Sequence, residues 1–140
     1  MSYEPYASGR ESMKIHDLSG SIEIDDASQL AHRLRTSRRA LFGAFHVSRD
    51  GDLPYISAHF NGDIAYIHYF SADDHPGFQP IDMTPDGCPE DVHFLNTDGN
   101  EGGAIDMPAS TLVDAETAVR AILEFAATGG MPKSIQWFEL

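Results

Sequence analysis

The chain has 140 residues, a length that fits one domain, and 41% of them are hydrophobic, enough to build a core. Its formal net charge of −13 is unevenly placed: residues 1–50 hold seven acids and seven bases, whereas residues 51–140 hold fifteen acids and two bases. Such a surface repels phosphate backbones and anionic lipid, so direct nucleic-acid or membrane binding is excluded as a first reading, and a basic partner comes before a divalent cation.

Residues 1–20 mix Ser, Gly, Glu and Tyr without periodicity and read as an N-terminal arm, mobile or loosely packed, ahead of a single domain over 21–140. The arm has no apolar segment of signal-peptide type, and no stretch approaches the ~20 apolar residues of a membrane span. Cys88 is the only cysteine, which rules out an internal disulfide. A soluble cytoplasmic protein is expected.

Residues 21–24 alternate as a short strand. A helix follows, with Asp26 and Gln29 in capping-box spacing and Ala27, Leu30, Ala31 and Leu34 on one apolar face. From residue 40 the period changes to two. Strands are expected at 41–47, 55–60 and 64–71, joined by an Asp50-Gly51 turn and an Asn61-Gly62 turn of type I′ chemistry. Residues 72–91 contain Pro76, Pro80, Pro85 and Pro89 and read as a long loop, a length usually tied to function or disorder. Residues 92–96 and 104–107 read as further strands around a Gly/acid turn at 98–103. The second helix is the clearest element: Asp114 caps it, Ala115, Ala118, Val119, Ile122, Leu123 and Ala126 form its face, and Gly129 ends it. Residues 135–140 read as a terminal strand. This order predicts an α+β fold, a mainly antiparallel sheet of about five to six strands with two helices packed on one face.

Three constellations carry chemistry. On strand parity Ser57, His59 and Tyr55 share a face with Tyr66 and His68, and His93 joins from a neighbouring strand. With Asp73 nearby, this face reads either as a small metal-dependent or acid–base site or as a half-wet sheet face with ordinary histidines. Cys88, His93 and His75 fall short of a zinc set, since two more ligands would be needed. No H-E-x-x-H, G-x-S-x-G or phosphate-loop motif occurs, and a zinc nucleobase deaminase would need a C-x-x-C pair that Cys88 cannot supply. The expectation is therefore no enzyme, no metal and no cofactor. The third constellation is acidic. Asp73, Asp74, Asp82, Asp86, Glu90, Asp91, Asp98, Glu101 and Asp106 come with no base among them, and Phe78, Ile81, Met83 and Phe94 are interleaved. This tract reads either as solubility charge or as a surface that meets a basic cleft, with charges orienting the encounter and aromatics acting as anchors.

The C-terminal stretch weights that choice. A helix ending in A-T-G-x-x-P, followed by a strand ending in W-x-E, resembles the tail of the Imm-one immunity-protein family of bacterial polymorphic toxin systems. Trp137 and Glu139 fall on that family's characteristic Trp and acid. The segment Ser21-Ile22-Glu23-Ile24-Asp25-Asp26 is similar to the family's opening, and Tyr66 to Asp74 is similar to its aromatic strand and acidic turn. The segment His75-Pro76-Gly77-Phe78-Gln79-Pro80 departs from the pattern, which puts the identity of the bound toxin outside the resemblance. What the resemblance implies is a non-catalytic protein that occludes the active site of a cognate toxin, commonly of the deaminase superfamily and basic. The contact is then expected through Asp73, Asp74, Phe78, Asp82, Asp86, Glu90, Asp91, Asp98 and Glu101.

Overall fold

The computed structural model describes residues 13–17, 20–24, 26–39, 42–49, 53–95 and 104–140. Strands β1 (Met13–Asp17) and β2 (Gly20–Ile24) precede helix α1 (Ala27–Arg39), and β3 (Phe42–Ser48), β4 (Tyr55–Asn61) and β5 (Ile64–Phe70) follow it. Then come β6 (Phe78–Pro80), β7 (Asp91–Leu95), β8 (Ala104–Pro108), a 3-10 turn (Ala109–Thr111), β9 (Val113–Asp114), α2 (Ala115–Thr128) and β10 (Trp137–Glu139). The main sheet runs β10–β6–β5–β4–β3–β1–β2 with antiparallel neighbours, and β9 pairs with the start of β5. The β7–β8 hairpin is a sheet of its own. The class is α+β.

The alternation of β3, β4 and β5 organises the core. Their register sets Phe45, Ala58 and Ile67 in one row and Val47, Ile56 and Tyr69 in the next. All six belong to the main apolar cluster, together with Leu30 and Leu34 of α1 and Ala118, Val119, Ile122 and Phe125 of α2. Phe45 and Phe60 meet edge to face with ring centroids 6.1 Å apart, a favoured aromatic geometry. The intervening residues point the other way. There Tyr66 joins Val92, Phe94 and Leu112 in a second, smaller cluster.

Both helices start where a carboxylate can receive orphan amides. The Asp26 Oδ1 accepts from Ser28 N–H at 2.8 Å, and Asp114 accepts from the Thr117 amide at 2.9 Å and its hydroxyl at 3.0 Å. Gly129 closes α2 at φ +75° with its N–H on the Phe125 carbonyl, the left-handed cap that glycine adopts without strain. A Cβ there would also meet Arg49 Nη1 at 2.5 Å, the end of a flexible side chain that can move aside, so the backbone conformation is what calls for glycine. Arg35 and Glu116 join the two helices at 2.7 Å, an exposed pair that contributes little stability.

Several expectations need correcting. Residues 13–17, expected in the arm, form β1, which pairs with both β2 and β3; a five-residue strand is too short to show its period among polar neighbours. Residues 1–12 lie outside the described residues. The 72–91 loop contains β6, which a Phe-Gln-Pro sequence does not announce, and the main sheet has eight strands rather than five or six. The β4–β5 turn is centred on Gly62-Asp63, with Gly62 at φ +61° and Asn61 paired to Ile64. Type I′ needs positive φ at both central residues; here Gly62 alone has it and Asp63 does not, which is type II′ chemistry. On α2, Ala121 and Phe125 are also fully buried, because the helix is covered over a wider arc than one stripe.

Truncating Phe60, fully buried in this core, to alanine is expected to cost about 3–5 kcal/mol of unfolding free energy. Chemical denaturation measures it, and a loss below about 1 kcal/mol would contradict the burial of Phe60 in the main cluster.

Candidate interaction site

The C-terminal strand is positioned by a chain of contacts that starts on α2. The Glu124 carboxylate accepts from the backbone amides of Lys133 at 2.6 Å and Ser134 at 3.3 Å, and from the Ser134 hydroxyl at 2.9 Å. These donors, the Lys133 amide foremost, hold the Glu124 carboxyl below its usual range and fold the segment after Gly129 back toward the helix. Trp137 then donates its indole N–H to the Pro132 carbonyl at 2.8 Å and packs against the main core. Glu139 stands two residues on, with its carboxylate largely in solvent.

Glu139 meets the turn after β5. Its Oε2 lies 2.7 Å from His75 Nε2, while the Gly77 amide donates to His75 Nδ1 at 2.8 Å. Nδ1 is therefore the acceptor, and Nε2 carries the proton that faces Glu139. His75 also stacks on Phe78 with centroids 5.0 Å apart, and the Leu140 amide donates to the Gly77 carbonyl at 2.9 Å. The exposed carboxylates of Asp73 and Asp74 ride on this tethered turn, whose His75 amide bonds back to Ala72.

Residues 81–90 are held elsewhere. The Thr84 hydroxyl donates to the Ala109 carbonyl at 2.7 Å, and the Ala109 amide donates to the Glu90 carbonyl at 2.8 Å. Cys88 packs against the second cluster, and burial pushes its thiol up from the ordinary value, which argues against a reactive thiolate. Asp82, at φ +60°, and Asp86, Glu90 and Asp91 are all exposed. Phe78 is half-buried against the core. Phe94, expected as a surface anchor, is fully buried in the second cluster. Asp98 and Glu101, with the whole 98–103 turn, lie outside the described residues.

The histidines do not converge. His59 is buried 6.4 Å from the Phe94 ring and 6.2 Å from that of Tyr66. His68 points Nε2 at the Pro76 carbonyl at 2.9 Å and Nδ1 at the Tyr66 hydroxyl at 3.3 Å. That hydroxyl donates to Gln79 Oε1 at 3.2 Å, and its burial pushes the phenol up to about 12. Gly77, at φ +100°, lies so close to this imidazole that a Cβ would fall 2.5 Å from Nε2. His93 faces away from this group and pairs with Asp106 across the β7–β8 hairpin at 2.8 Å. The expectation that it shares a face with His59 fails because Val92 and Phe94 take the inward parity of β7. Among the described residues no three His, Cys, Asp or Glu side chains are grouped so as to hold a metal ion.

Two features escape a reading of the sequence. His75 and Glu139 are 64 residues apart, and no local pattern could pair them. Phe138 and Leu140 are 47% and 44% exposed; their opposite parity to Trp137 in a terminal strand is the one local signal. Among the described residues no helix is long and apolar enough to cross a membrane.

The model of the immunity protein family Imm1 matches residues 21–139, so the match spans α1, the meander, both loops and the W-x-E strand. No curated protein matches the chain.

Burial holds the His68 imidazole below its ordinary value, outweighing the Pro76 carbonyl that favours its charged form. In the unfolded chain the same group binds a proton near pH 6.5. Below that pH the unfolded state holds more protons than the folded one, so stability present at neutral pH is lost as pH falls. The urea midpoint is expected to drop from about pH 7 to about pH 5.5, and His68→Gln should flatten part of that slope. Equal slopes in the two proteins would contradict the burial of His68.

Proposed function

This chain belongs to the Imm1 immunity protein family, and from that premise we propose that it binds and neutralises a cognate toxin by covering the toxin's active site with an acidic loop surface. Membership in the family implies a toxin partner; the acidic surface bears on the kind of toxin and the means of inhibition. One observation supports this means: Asp73, Asp74, Asp82, Asp86, Glu90 and Asp91 are all exposed, and no Lys or Arg occurs between Arg49 and Arg120. These carboxylates are not neutralised by cations of the same stretch. Their natural complement is a basic cleft on another molecule, where opposed charge speeds encounter and fixes orientation.

A deaminase that acts on a nucleic acid must present such a cleft to its substrate, and an acidic protein surface competes for it. The protein then acts in the cytoplasm as a non-catalytic inhibitor, as a single domain that takes in β1 (Met13–Asp17) together with residues 21–140. Neither metal nor cofactor is required for this action. Tethering of the two loops keeps their charges in place before encounter, which lowers the ordering cost of binding. Asp98 and Glu101 belong to the same acidic tract, Glu139 holds the 71–77 turn through His75, and Trp137 packs the strand that carries Glu139 against the core.

Replacing Asp73, Asp74, Asp86, Glu90 and Asp91 together with Lys should weaken the toxin complex on the order of 100-fold and abolish protection of toxin-expressing cells. The wild-type complex should weaken with salt. Because these side chains are exposed, melting of the free variant should shift by only a few degrees. Unchanged protection by this variant would overturn the acidic-loop mechanism while leaving toxin binding intact.

A further inference from the structure

We propose that the outer edge of β10 is a docking strand: an extended toxin segment adds to it as the next strand, setting apolar side chains on Phe138 and Leu140 and a basic side chain beside Glu139. The proposal rests on the immunity reading and names a contact element that the acidic-loop surface does not include.

The backbone supplies the first part of the argument. β10 ends the main sheet and, among the described residues, pairs with β6 alone. The Leu140 amide donates to Gly77 and the Gln136 carbonyl accepts from Ile81. In an antiparallel ladder, alternate residues turn their polar groups to the same neighbour. Gln136, Phe138 and Leu140 therefore face β6, while Trp137 and Glu139 direct their N–H and C=O groups outward. Edges are normally blunted by brevity, charge, Pro or a bulge. β10 is short but has no Lys, Pro or bulge, and its Glu139 carboxylate turns away acidic strands while leaving the edge open to a segment that carries a base.

The side chains supply the second part. Phe138 and Leu140, with Met131, are the large hydrophobic residues left exposed among the described residues, and all three fall in the last ten positions. Phe138 and Leu140 stand two residues apart on the same strand face, and adjacent exposed apolar side chains rimmed by charge are the kind of surface that a protein contact uses. A three-residue edge offers outward groups from two residues only, so the ladder supplies register and Phe138 and Leu140 supply the anchors.

Charge selects the occupant. Glu139 is exposed and tied through His75 to the turn that carries Asp73 and Asp74. A second copy of this chain would bring the same acids against themselves, and an anionic membrane would be repelled as well. An extended segment mixing apolar and basic residues satisfies both the anchors and the rim.

The test uses the wild-type protein and its cognate toxin domain. Hydrogen exchange should show the Trp137 and Glu139 amides gaining protection in the complex, and Trp137, the one tryptophan of the chain, should report binding by its fluorescence. Phe138→Asp combined with Leu140→Asp should weaken binding at least about tenfold. Glu139→Pro removes an outward N–H, a change an edge strand tolerates, and should weaken binding more than Glu139→Gln, which keeps it. Toxin that binds every variant as it binds wild type, with both amides exchanging as in the free protein, would overturn the docking strand and leave the immunity reading standing. Toxin that fails to bind the wild-type protein at all would overturn both.

Discussion

The position of the C-terminal strand depends on Tyr69. Its ring lies 6.0–6.1 Å from those of Phe78, Phe125 and Trp137, so one side chain of β5 joins β6, α2 and β10. Around it the chain has few alternatives. Phe125 is fixed by the winding of α2 and Phe78 by its pairing with Tyr69 itself, and Trp137 closes the cluster from the last strand. The burial of large aromatic surface at one point holds together segments that are distant in sequence. The tether between Glu139 and His75, and through it the setting of the 71–77 turn, rests on the strand position that this packing fixes.

The sheet has two faces with different covers, and this division shapes the surface. One is dry, built from the Phe45 and Val47 rows and shared with helical residues of the main cluster. The other is mixed. Its His59–Tyr66 end is buried with Phe94 of the β7–β8 hairpin, whereas the end toward β10 keeps Phe138 and Leu140 exposed. Burial of polar groups at the covered end is tolerated because they find partners, as Tyr66 does in Gln79 and His68. A histidine-rich face thus becomes a packing device, with each ring engaged separately.

Local pattern was informative where one face of an element is buried. The α2 boundaries follow from Asp114, Glu116 and Gly129, because caps are decided within one turn. The meander follows from period-two alternation between Tyr55 and Phe70. Failure came where an element is short or its partner distant. β6 and β1 are recognisable mainly by the strands beside them, and Phe94 reads in isolation as a surface aromatic although a hairpin carries it inward. Of the acidic tract, composition located the residues, while the hydrogen bonds of Thr84, Ala109 and Glu90 separate its two anchored parts.

The amino-acid sequence by itself determined the α+β class, the capped helices, the uneven charge and the family to which the tail points. These are properties of spacing and composition, readable within a few residues. Only the tertiary structure decided that Glu139 holds His75, that Gly77 must yield space to His68, and that Phe138 and Leu140 stand exposed on a sheet edge. Each depends on which strand lies beside which. That choice is made by burial of Tyr69 and its aromatic neighbours across long stretches of chain, and no local period encodes it.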